Sequence, residues 1–344
     1  MKTKTKLISI ILPIHNGEKH IVESIESCLN QTYKKIELII INDCSTDSTL
    51  KIVNHYYKTD CRVKIINNSE NKKLPSCLNI GHRIAKGELI TWTSDDNIFE
   101  VNALKELEVC LSRTKSDIVY SNFNYIDEFG NKSDEVKLAG VESLLFSNCI
   151  GCCFLYKKEV FARNISYNES LFLVEDYDFW LRASFHSKFF HLKKTLYNYR
   201  KHDKSLTHQI VYDDEKNKIW KDNVKKMYTN FYKRLLINDF SEISKFATDN
   251  LTKQNVSFDW FRDNTGGLLM ISKKLIRNIN FSNTKLLNKV FLNKTVQIMK
   301  DNEDNKSNFL KSIFIIQNYL TMLDITILKI LIEYSFFKKK RFRN

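Results

Sequence analysis

Residues 87–97 read GELITWTSDDN, an apolar run of strand length followed at once by two adjacent carboxylates, Asp95 and Asp96. Two like charges at the end of a buried strand repel each other, which is costly unless a cation or a substrate neutralises them. A hard cation such as Mg²⁺ or Mn²⁺ prefers carboxylate and phosphate oxygens, so this stretch predicts a cation site. The alternative is a helix N-terminus, where Asp96 or Asn97 caps the following helix.

The same pattern, an apolar strand followed by a polar loop, recurs upstream of this stretch. LISIIL is followed by PIHNGE, and IELIII is followed by NDCSTDST. Helical spacing separates the strands, which predicts an α/β fold with a mostly parallel sheet covered by helices on both faces. Ligands of such sheets bind beyond the carboxyl ends of the strands, so we expect the three polar loops to form one site. The predicted strands are 7–12, 36–41, 62–66, 88–93 and 117–121, and the predicted helices are 18–30 and 75–86.

The pattern changes along the rest of the chain. Two further segments, 147–156 and 188–200, resemble strands, and 170–185 begins apolar and continues as an amphipathic helix. Strand alternation is absent from about residue 210 onward. We therefore predict two domains, 1–210 and 211–344. The second is helical and Lys-rich, with helical segments at 211–236, 268–300 and 307–337.

Positive charge is concentrated in the C-terminal part. The chain of 344 residues has a net charge of +14, and residues 211–344 contain 25 Lys or Arg against 14 Asp or Glu. This excess suits an anionic partner, either a membrane leaflet or nucleic acid, but aromatic residues interleaved with the basic ones are missing, so we expect no nucleic acid. The apolar segment 309–337 is interrupted by charges and precedes a basic tail, KKKRFRN. It fits the surface of an anionic membrane, or a helix packed on the first domain with a solvated tail.

The cysteines and the N-terminus indicate a cytoplasmic protein. Eight cysteines are scattered along the chain, and Cys149-x-x-Cys152 has no second pair that would complete a four-ligand zinc site. Unpaired thiols are typical of a reducing compartment. LISIIL is too short for a signal peptide or a membrane span. The glycine-rich dinucleotide turn, the P-loop and the G-x-S-x-G nucleophile turn are all missing from the sequence, which excludes those enzyme classes.

Other polar residues carry chemistry at the expected strand ends. Asp43 can accept hydrogen bonds from a ribose or a base, or it can form an Asx turn. Glu175 and Asp176 begin the helix in SLFLVEDYDFW, where an ionised carboxylate can act as a general base or can simply stabilise the helix N-terminus. His202 lies among the basic residues of YRKHDK, which suggests a loop that faces an anion.

Taken together, these segments resemble glycosyltransferase family 2, whose members have the GT-A fold. The resemblance covers residues 7 to about 208, in four stretches of matching order and spacing. It implies the transfer of a sugar from a nucleoside-diphosphate sugar, with inversion, using Mn²⁺ or Mg²⁺. The stretches are SIILPIHNGEKHIVESIESCLNQTYKKIELIIINDCSTDST, NKKLPSCLNIGHRIAKGELITWTSDDN, SLFLVEDYDFWLRAS and YRKHDKSLTH.

The resemblance assigns roles to individual residues. Asp176 matches the catalytic base, with Glu175 beside it on the acceptor side. Asp96 and His202 match the metal-binding positions. Three positions depart from the family pattern: Thr93 replaces the first acidic residue of D-x-D-D, and Cys44 and Lys73 replace glycines. The donor-binding matches are Pro13, His15, Asn16, Glu18, Asp43, Asn71 and Asp95.

The resemblance also sets the expected biology. We expect domain 1–210 to bind a nucleotide-sugar, by preference UDP-linked, and to transfer the sugar to a hydroxyl group of a glycan or a lipid-linked acceptor. Bacterial surface polysaccharide synthesis at the inner face of the cell membrane would use such an enzyme, with region 211–344 contacting the membrane or the acceptor. The alternative is a non-catalytic sugar-nucleotide-binding or scaffold protein of the same fold.

Overall fold

A computed structural model describes residues 5–236, 240–254, 256–275, 278–301 and 308–336 of the chain. The predicted fold class is confirmed: a central sheet with helices around it is followed by a helical C-terminal part. The chain divides into two compact units. The first comprises Met1–Leu144 and Asn148–Met227, and the second comprises Leu145–Ser147 and Tyr228–Asn344. The functional domain limits inferred from the sequence, at residues 210 and 211, stay a prediction.

The first unit contains one sheet, in which nine strands are described. Their order across the sheet is β3-β2-β1-β4-β8-β6-β9-β5, with β7 paired to β6. Each predicted strand up to residue 121 is present, because β-branched residues dominate these runs and pack well on a buried pleated surface. The strands are β1 Ile8–Ile14, β2 Ile36–Asn42, β3 Val63–Asn67, β4 Leu89–Trp92, β5 Ile98–Phe99, β6 Ile118–Ile126, β7 Lys132–Val136, β8 Phe154–Lys157 and β9 Phe189–Arg200.

Parallel pairing brings the polar loops to one edge of the sheet. β1 pairs in parallel with β2 and β4, and β2 pairs in parallel with β3. The register places Ile14, Asn42 and Asn67 side by side at the carboxyl ends of β1, β2 and β3. β8 then runs antiparallel to both β4 and β6. The polar loops after β1, β2 and β4 therefore meet at the edge of the sheet where the sequence predicts a site.

The helices of the first unit cover the sheet with apolar stripes. In α1, Ile21, Ile25 and Cys28 are buried at spacings of four and three residues, which is the period of one helix face. The predicted helix 18–30 begins later than expected, at Ile21. The helices are α1 Ile21–Leu29, α2 Thr49–Thr59, α3 Lys73–Ile84, α4 Ala103–Thr114, α5 Lys158–Asn164, α6 Glu175–Ala183, α7 Leu206–Tyr212 and α8 Asp214–Leu236, the last of which continues into the second unit.

Three sequence-based predictions of elements were wrong. One is segment 307–337, which forms two helices, Asn308–Tyr319 and Ile325–Phe336. Segment 147–156 is a strand only from Phe154, and residues 147–153 form an irregular loop in which Gly151 has φ +68°. The sequence of this loop is apolar because Cys149, Ile150 and Cys153 are buried, although they belong to no strand. Segment 268–300 is two helices, separated at 278–283, where asparagine side chains bond to nearby backbone groups instead of extending a helix.

The second unit is helical in its described residues. Its core includes the rings of Phe146, Phe246 and Phe291, with centroids 5.6 Å apart in each pair that Phe146 makes. No helix among the described residues is long and apolar enough to cross a membrane. Beyond α8, its helices are α9 Ser241–Leu251, α10 Phe258–Leu275, α11 Thr284–Asp301, α12 Asn308–Tyr319 and α13 Ile325–Phe336. The basic tail, 338–344, lies outside the described residues.

Candidate active site

The loops after β1 and β2 are held together by two of the predicted donor-binding residues. Asn16 Oδ1 accepts a hydrogen bond from the Thr46 backbone N–H at 2.8 Å. Glu18 Oε2 accepts one from the Ser48 backbone N–H at 2.9 Å, and the Glu18 N–H donates to Asp47 Oδ2. Asn16 and Glu18 therefore hold the loop after β1 against the loop after β2, at the edge of the site.

Pro13 and His15 connect the first loop to its neighbours. Pro13 lies within β1, opposite Ile41 of β2. His15 Nδ1 donates to the Asp43 carbonyl oxygen at 2.8 Å, and the His15 backbone N–H points to Asp95 Oδ2 at 3.4 Å. His15 thus lies between the Asp43 loop and the paired aspartates.

Asp43 orders the loop that follows β3. It is 4% exposed, and its carboxylate accepts hydrogen bonds from the Asn68 side chain and from the backbone N–H groups of Lys72 and Lys73, at 2.8 to 2.9 Å. A carboxylate offers about four acceptor positions, and the Cys77 thiol also lies beside this one. Asn71, at the exposed tip of this loop, accepts from the Lys73 N–H at 3.1 Å.

The two residues that replace family glycines keep a glycine-like backbone. Cys44 has φ +60° and Lys73 has φ +67°. A side chain in this left-handed region costs roughly 1–2 kcal/mol, because Cβ approaches the following carbonyl oxygen. The loop geometry that the glycines permit is therefore kept here at an energetic cost.

The paired aspartates point to different neighbours. Asp96 Oδ2 lies 2.9 Å from His202 Nε2, and Asp96 Oδ1 accepts from the Ser94 hydroxyl at 2.6 Å. Burial, together with the nearby charge of Asp96, raises the pKa of Asp95 to about 7. Thr93 is 1% exposed and lies 2.6 Å from the Tyr197 hydroxyl, so it faces the protein interior.

The helix-cap interpretation of the aspartate pair is wrong. The following helix, α4, begins at Ala103 and has Asn102 at its N-cap, several residues beyond Asp96. Asn97 instead accepts a hydrogen bond from the Arg200 backbone N–H at 2.7 Å. The pair therefore lies in the turn between β4 and β5, where it caps no helix.

Arg200 also differs from its sequence-based interpretation as part of an anion-facing loop. It is fully buried, its Nε donates to the Asp96 carbonyl oxygen at 2.9 Å, and its Nη2 lies 2.8 Å from Glu23 Oε2. It thus holds the backbone of the aspartate turn. Arg200 lies on the same face of β9 as Leu196 and Asn198, but Tyr197 on the other face is buried as well, so the sequence pattern gives no signal for the burial of Arg200.

Gly17 approaches the Asp95 carboxylate closely, which the sequence pattern did not reveal. A Cβ atom at Gly17 would lie 2.8 Å from Asp95 Cγ, and closer still to its Oδ2. A side chain at this position would displace the carboxylate. The Asn-Gly pair in this loop indicates a turn, but the approach to Asp95 depends on the tertiary fold.

Glu175 and Asp176 lie at the N-terminus of α6 in different environments. Asp176 Oδ2 accepts from the Asn148 side chain at 2.8 Å, and Oδ1 accepts from the Tyr177 N–H at 2.7 Å. Burial raises the pKa of Asp176, whereas these two donors hold it down. Burial and the charge of Asp176 raise the pKa of Glu175 to about 8, and its Oε2 has no hydrogen-bond partner among the described residues.

The two acidic pairs lie at the same edge of the sheet. Because β8 runs antiparallel to β4, the loop 147–153 that precedes β8 lies at the carboxyl end of β4, and Asn148 of this loop bonds to Asp176. Burial raises the pKa of the Cys152 thiol in the same loop well above its usual value, and the charges of Cys153, Asp96 and Asp176 add to that rise. The other predicted donor-binding residues lie in the loops near Asp43, and His15 connects Asp43 to Asp95.

Comparison with known proteins identifies the family. The sequence model described as Glycosyl transferase family 2 matches residues 9–164. A Rickettsia typhi protein named as an uncharacterized glycosyltransferase is 31% identical over 238 residues, which cover 65% of this chain and 74% of that protein. The chain belongs to glycosyltransferase family 2.

Two further proteins extend the comparison. Escherichia coli chondroitin synthase is 27% identical over 257 residues, covering 72% of this chain and 37% of that protein. The crystal structure of Staphylococcus aureus TarS 1–349 in complex with UDP-GlcNAc aligns with a TM-score of 0.58 at 17% identity, covering 98% of this chain and 93% of that one. The second likeness concerns the fold, and it confirms the GT-A architecture expected of this glycosyltransferase.

The donor set at the aspartate turn of this glycosyltransferase suits a hard divalent cation. Asp96 and His202 offer an oxygen and a nitrogen 2.9 Å apart, with the Asp95 carboxylate beside them. No group of three or more His, Cys, Asp or Glu side chains in the described part of the chain is arranged to hold a metal ion. A cation bound to two side chains and otherwise to substrate phosphate oxygens fits such a site.

Proposed function

We propose that this glycosyltransferase transfers a hexose or an N-acetylhexosamine from a UDP-sugar to a hydroxyl group of a glycan or lipid-linked acceptor, with inversion. The observation that carries the proposal is that Asp95, Asp96 and His202 lie at the same edge of the sheet as the loop whose Asn148 bonds to Asp176. Asp95 and Asp96 would lie beside the diphosphate group of the donor, and Asp176 would lie beside the acceptor. The UDP-GlcNAc bound by TarS supports the choice of UDP.

Donor binding follows from the strand-end loops. Asp43 orders the loop on which Asn71 lies, and these two residues would contact the nucleotide. Asp96 and His202 would hold Mn²⁺ or Mg²⁺, which when bound offsets the charge on the leaving diphosphate. The remaining predicted donor-binding residues, Pro13, His15, Asn16 and Glu18, line the first loop.

Asp176 is the proposed general base. The hydrogen bonds from Asn148 and Tyr177 stabilise its ionised form, so it can take the proton from an acceptor hydroxyl while the oxygen attacks the anomeric carbon. A carboxylate is a weak base, so proton removal accompanies bond formation. With a pKa of about 8, Glu175 is largely protonated at neutral pH and can donate a hydrogen bond to the acceptor.

The proposal is tested by calorimetric titration of UDP, GDP and CDP, with and without Mn²⁺, into the wild type, Asp96→Ala and a control, Asp134→Ala. Asp134 is an exposed carboxylate on β7. We expect metal-dependent binding of UDP, which Asp96→Ala loses and Asp134→Ala keeps. Folded protein that binds none of the three nucleotides would contradict the proposal and favour a non-catalytic scaffold.

The second unit carries a surface suited to a lipid-linked acceptor. Apolar side chains of α12, α13 and the turn between them are exposed, including Leu310 at 66%, Leu320 at 67% and Ile325 at 73%. With the excess of Lys and Arg in residues 211–344, they favour peripheral binding to an anionic membrane at the cytoplasmic face. Surface polysaccharide synthesis is the process that this placement would serve.

This membrane proposal is tested by co-sedimentation with vesicles. The triple variant Leu310→Gln, Leu320→Gln and Ile325→Gln should bind vesicles containing phosphatidylglycerol more weakly than the wild type, because less apolar area enters the interface. A control with Ile165→Gln, which changes an 85% exposed residue of the first unit, should bind like the wild type. Wild-type protein that stays in the supernatant with anionic vesicles would contradict the proposal.

A further inference from the structure

A buried histidine without a hydrogen-bond partner lies beside the Asp96–His202 pair. His20 immediately precedes α1 and is 7% exposed. Neither of its ring nitrogens has a hydrogen-bond partner among the described residues. Buried polar groups nearly always have a partner, because an unsatisfied one loses its hydration without compensation. A hydrogen-bond partner for this ring would therefore come from outside the described chain.

The position of the ring indicates where that group binds. The centroids of the His20 and His202 rings are 5.5 Å apart, with the rings tilted by 47°. His202 Nε2 in turn lies 2.9 Å from Asp96 Oδ2. Because hydrogen bonds from ring nitrogens span about 2.7–3.2 Å, a single oxygen atom can contact both imidazoles. The missing partner of His20 therefore belongs at the place proposed for the diphosphate.

The charged side chains around His20 pair with one another and leave its ring free for a ligand. Arg200 is fully buried nearby and pairs with Glu23 at 2.8 Å, while Glu23 Oε1 lies 3.9 Å from His20 Nδ1. Lys19, the second cation nearby, pairs with Glu128, so the two cations face two carboxylates. A neutral imidazole has one N–H donor, which matches a phosphate oxygen.

We propose that His20 is a positioning residue of the donor site, whose ring N–H donates to an oxygen of the donor's diphosphate group and whose ring fixes the orientation of His202. This inference rests on the proposed function, because it requires a diphosphate beside Asp96 and His202. The free protein bears the cost of the unpartnered ring, and donor binding removes it. An apolar residue at this position would favour the stability of the free protein, whereas histidine favours donor affinity.

The test compares His20→Phe and His20→Gln with a control, His55→Phe, which changes an exposed histidine of α2. UDP and uridine are titrated with Mn²⁺ present, and the melting temperature of each free protein is measured. Loss of a hydrogen bond to a charged group predicts about tenfold weaker UDP binding by His20→Phe, with uridine binding unchanged. His20→Phe should melt no lower than the wild type, and His20→Gln, which keeps a donor, should lose less UDP affinity.

Three results would overturn the inference. Unchanged UDP affinity in folded His20→Phe would contradict it and leave the proposed function intact. A lower melting temperature of His20→Phe, with UDP and uridine affinities reduced equally, would show that His20 is a packing residue. Wild-type protein that binds no UDP would contradict the proposed function and this inference together.

Discussion

The hydrogen bond from Asn148 to Asp176 should control the pH at which the enzyme becomes active. Asn148 Nδ2 donates to Asp176 Oδ2 at 2.8 Å, which stabilises the ionised carboxylate. A hydrogen bond to a charged group contributes about 1.5–3 kcal/mol, and one pKa unit corresponds to about 1.4 kcal/mol. Asn148 is half-buried, so water replaces part of the bond when the side chain is removed. Asn148→Ala should therefore raise the pKa of Asp176 by about one unit.

The sign and the assay follow from the role of the base. Only the ionised carboxylate accepts the proton, so kcat/KM rises with pH through the pKa of Asp176, and Asn148→Ala should move this acidic limb to higher pH. Asn30→Ala is the matched control, because Asn30 Nδ2 donates to another carboxylate oxygen, Glu26 Oε2, at 2.9 Å at the end of α1. An acidic limb that stays in place, or that moves to lower pH, in Asn148→Ala would refute the assignment of Asp176.

Three further predictions concern the loops and the core. Lys73→Gly should raise the free energy of unfolding by up to about 1 kcal/mol, because the left-handed backbone no longer strains a side chain, whereas Lys72→Gly, at φ −91°, should lower it. Gly17→Ala should weaken metal-dependent UDP binding at least tenfold in calorimetric titration, because its Cβ displaces the Asp95 carboxylate. Burial lowers the pKa of His82 to about 3, so between about pH 6.5 and 3 the unfolded chain binds a proton that the folded chain does not bind. The free energy of unfolding should therefore fall with falling pH, by up to about 1.4 kcal/mol per pH unit. In denaturant unfolding, the free energy of unfolding of His82→Asn should depend less on pH.

Each of these predictions has a contradicting outcome. Equal destabilisation by the two lysine variants would show that φ at Lys73 carries no strain. Normal UDP binding by Gly17→Ala would mean that Asp95 lies outside the donor site or moves freely. Parallel pH profiles of unfolding for His82→Asn and the wild type would show that the His82 ring stays protonated in the folded chain.

The sequence predicts the elements whose pattern is local. The strands β1 to β4 are recognisable because their apolar β-branched runs end in polar loops, and the meeting of those loops follows from parallel pairing. The same reasoning fails at residues 147–153, since burial makes a loop as apolar as a strand. Local pattern cannot distinguish these two causes of burial.

The candidate site divides in the same way. Asp95, Asp96 and Asp176 are recognisable because acidic pairs are unusual after apolar runs. Their supporting residues are not, because Asn148 and Arg200 act through contacts between distant parts of the chain. Arg200 resembles a surface cation in sequence, yet its guanidinium is buried and each of its three nitrogens makes a hydrogen bond. Side chains that act through tertiary contacts can be assigned only once the fold is known.

The most direct measurement of the central claim is calorimetric titration of UDP with Mn²⁺ into the wild type, Asp96→Ala and Asp176→Asn. The two variants separate the diphosphate side of the site from the acceptor side. We predict that the wild type and Asp176→Asn bind UDP with similar affinity, since Asp176 acts on the acceptor, and that Asp96→Ala loses the metal-dependent part. Equal binding by Asp96→Ala and the wild type, or loss of UDP binding in folded Asp176→Asn, would contradict this division of roles.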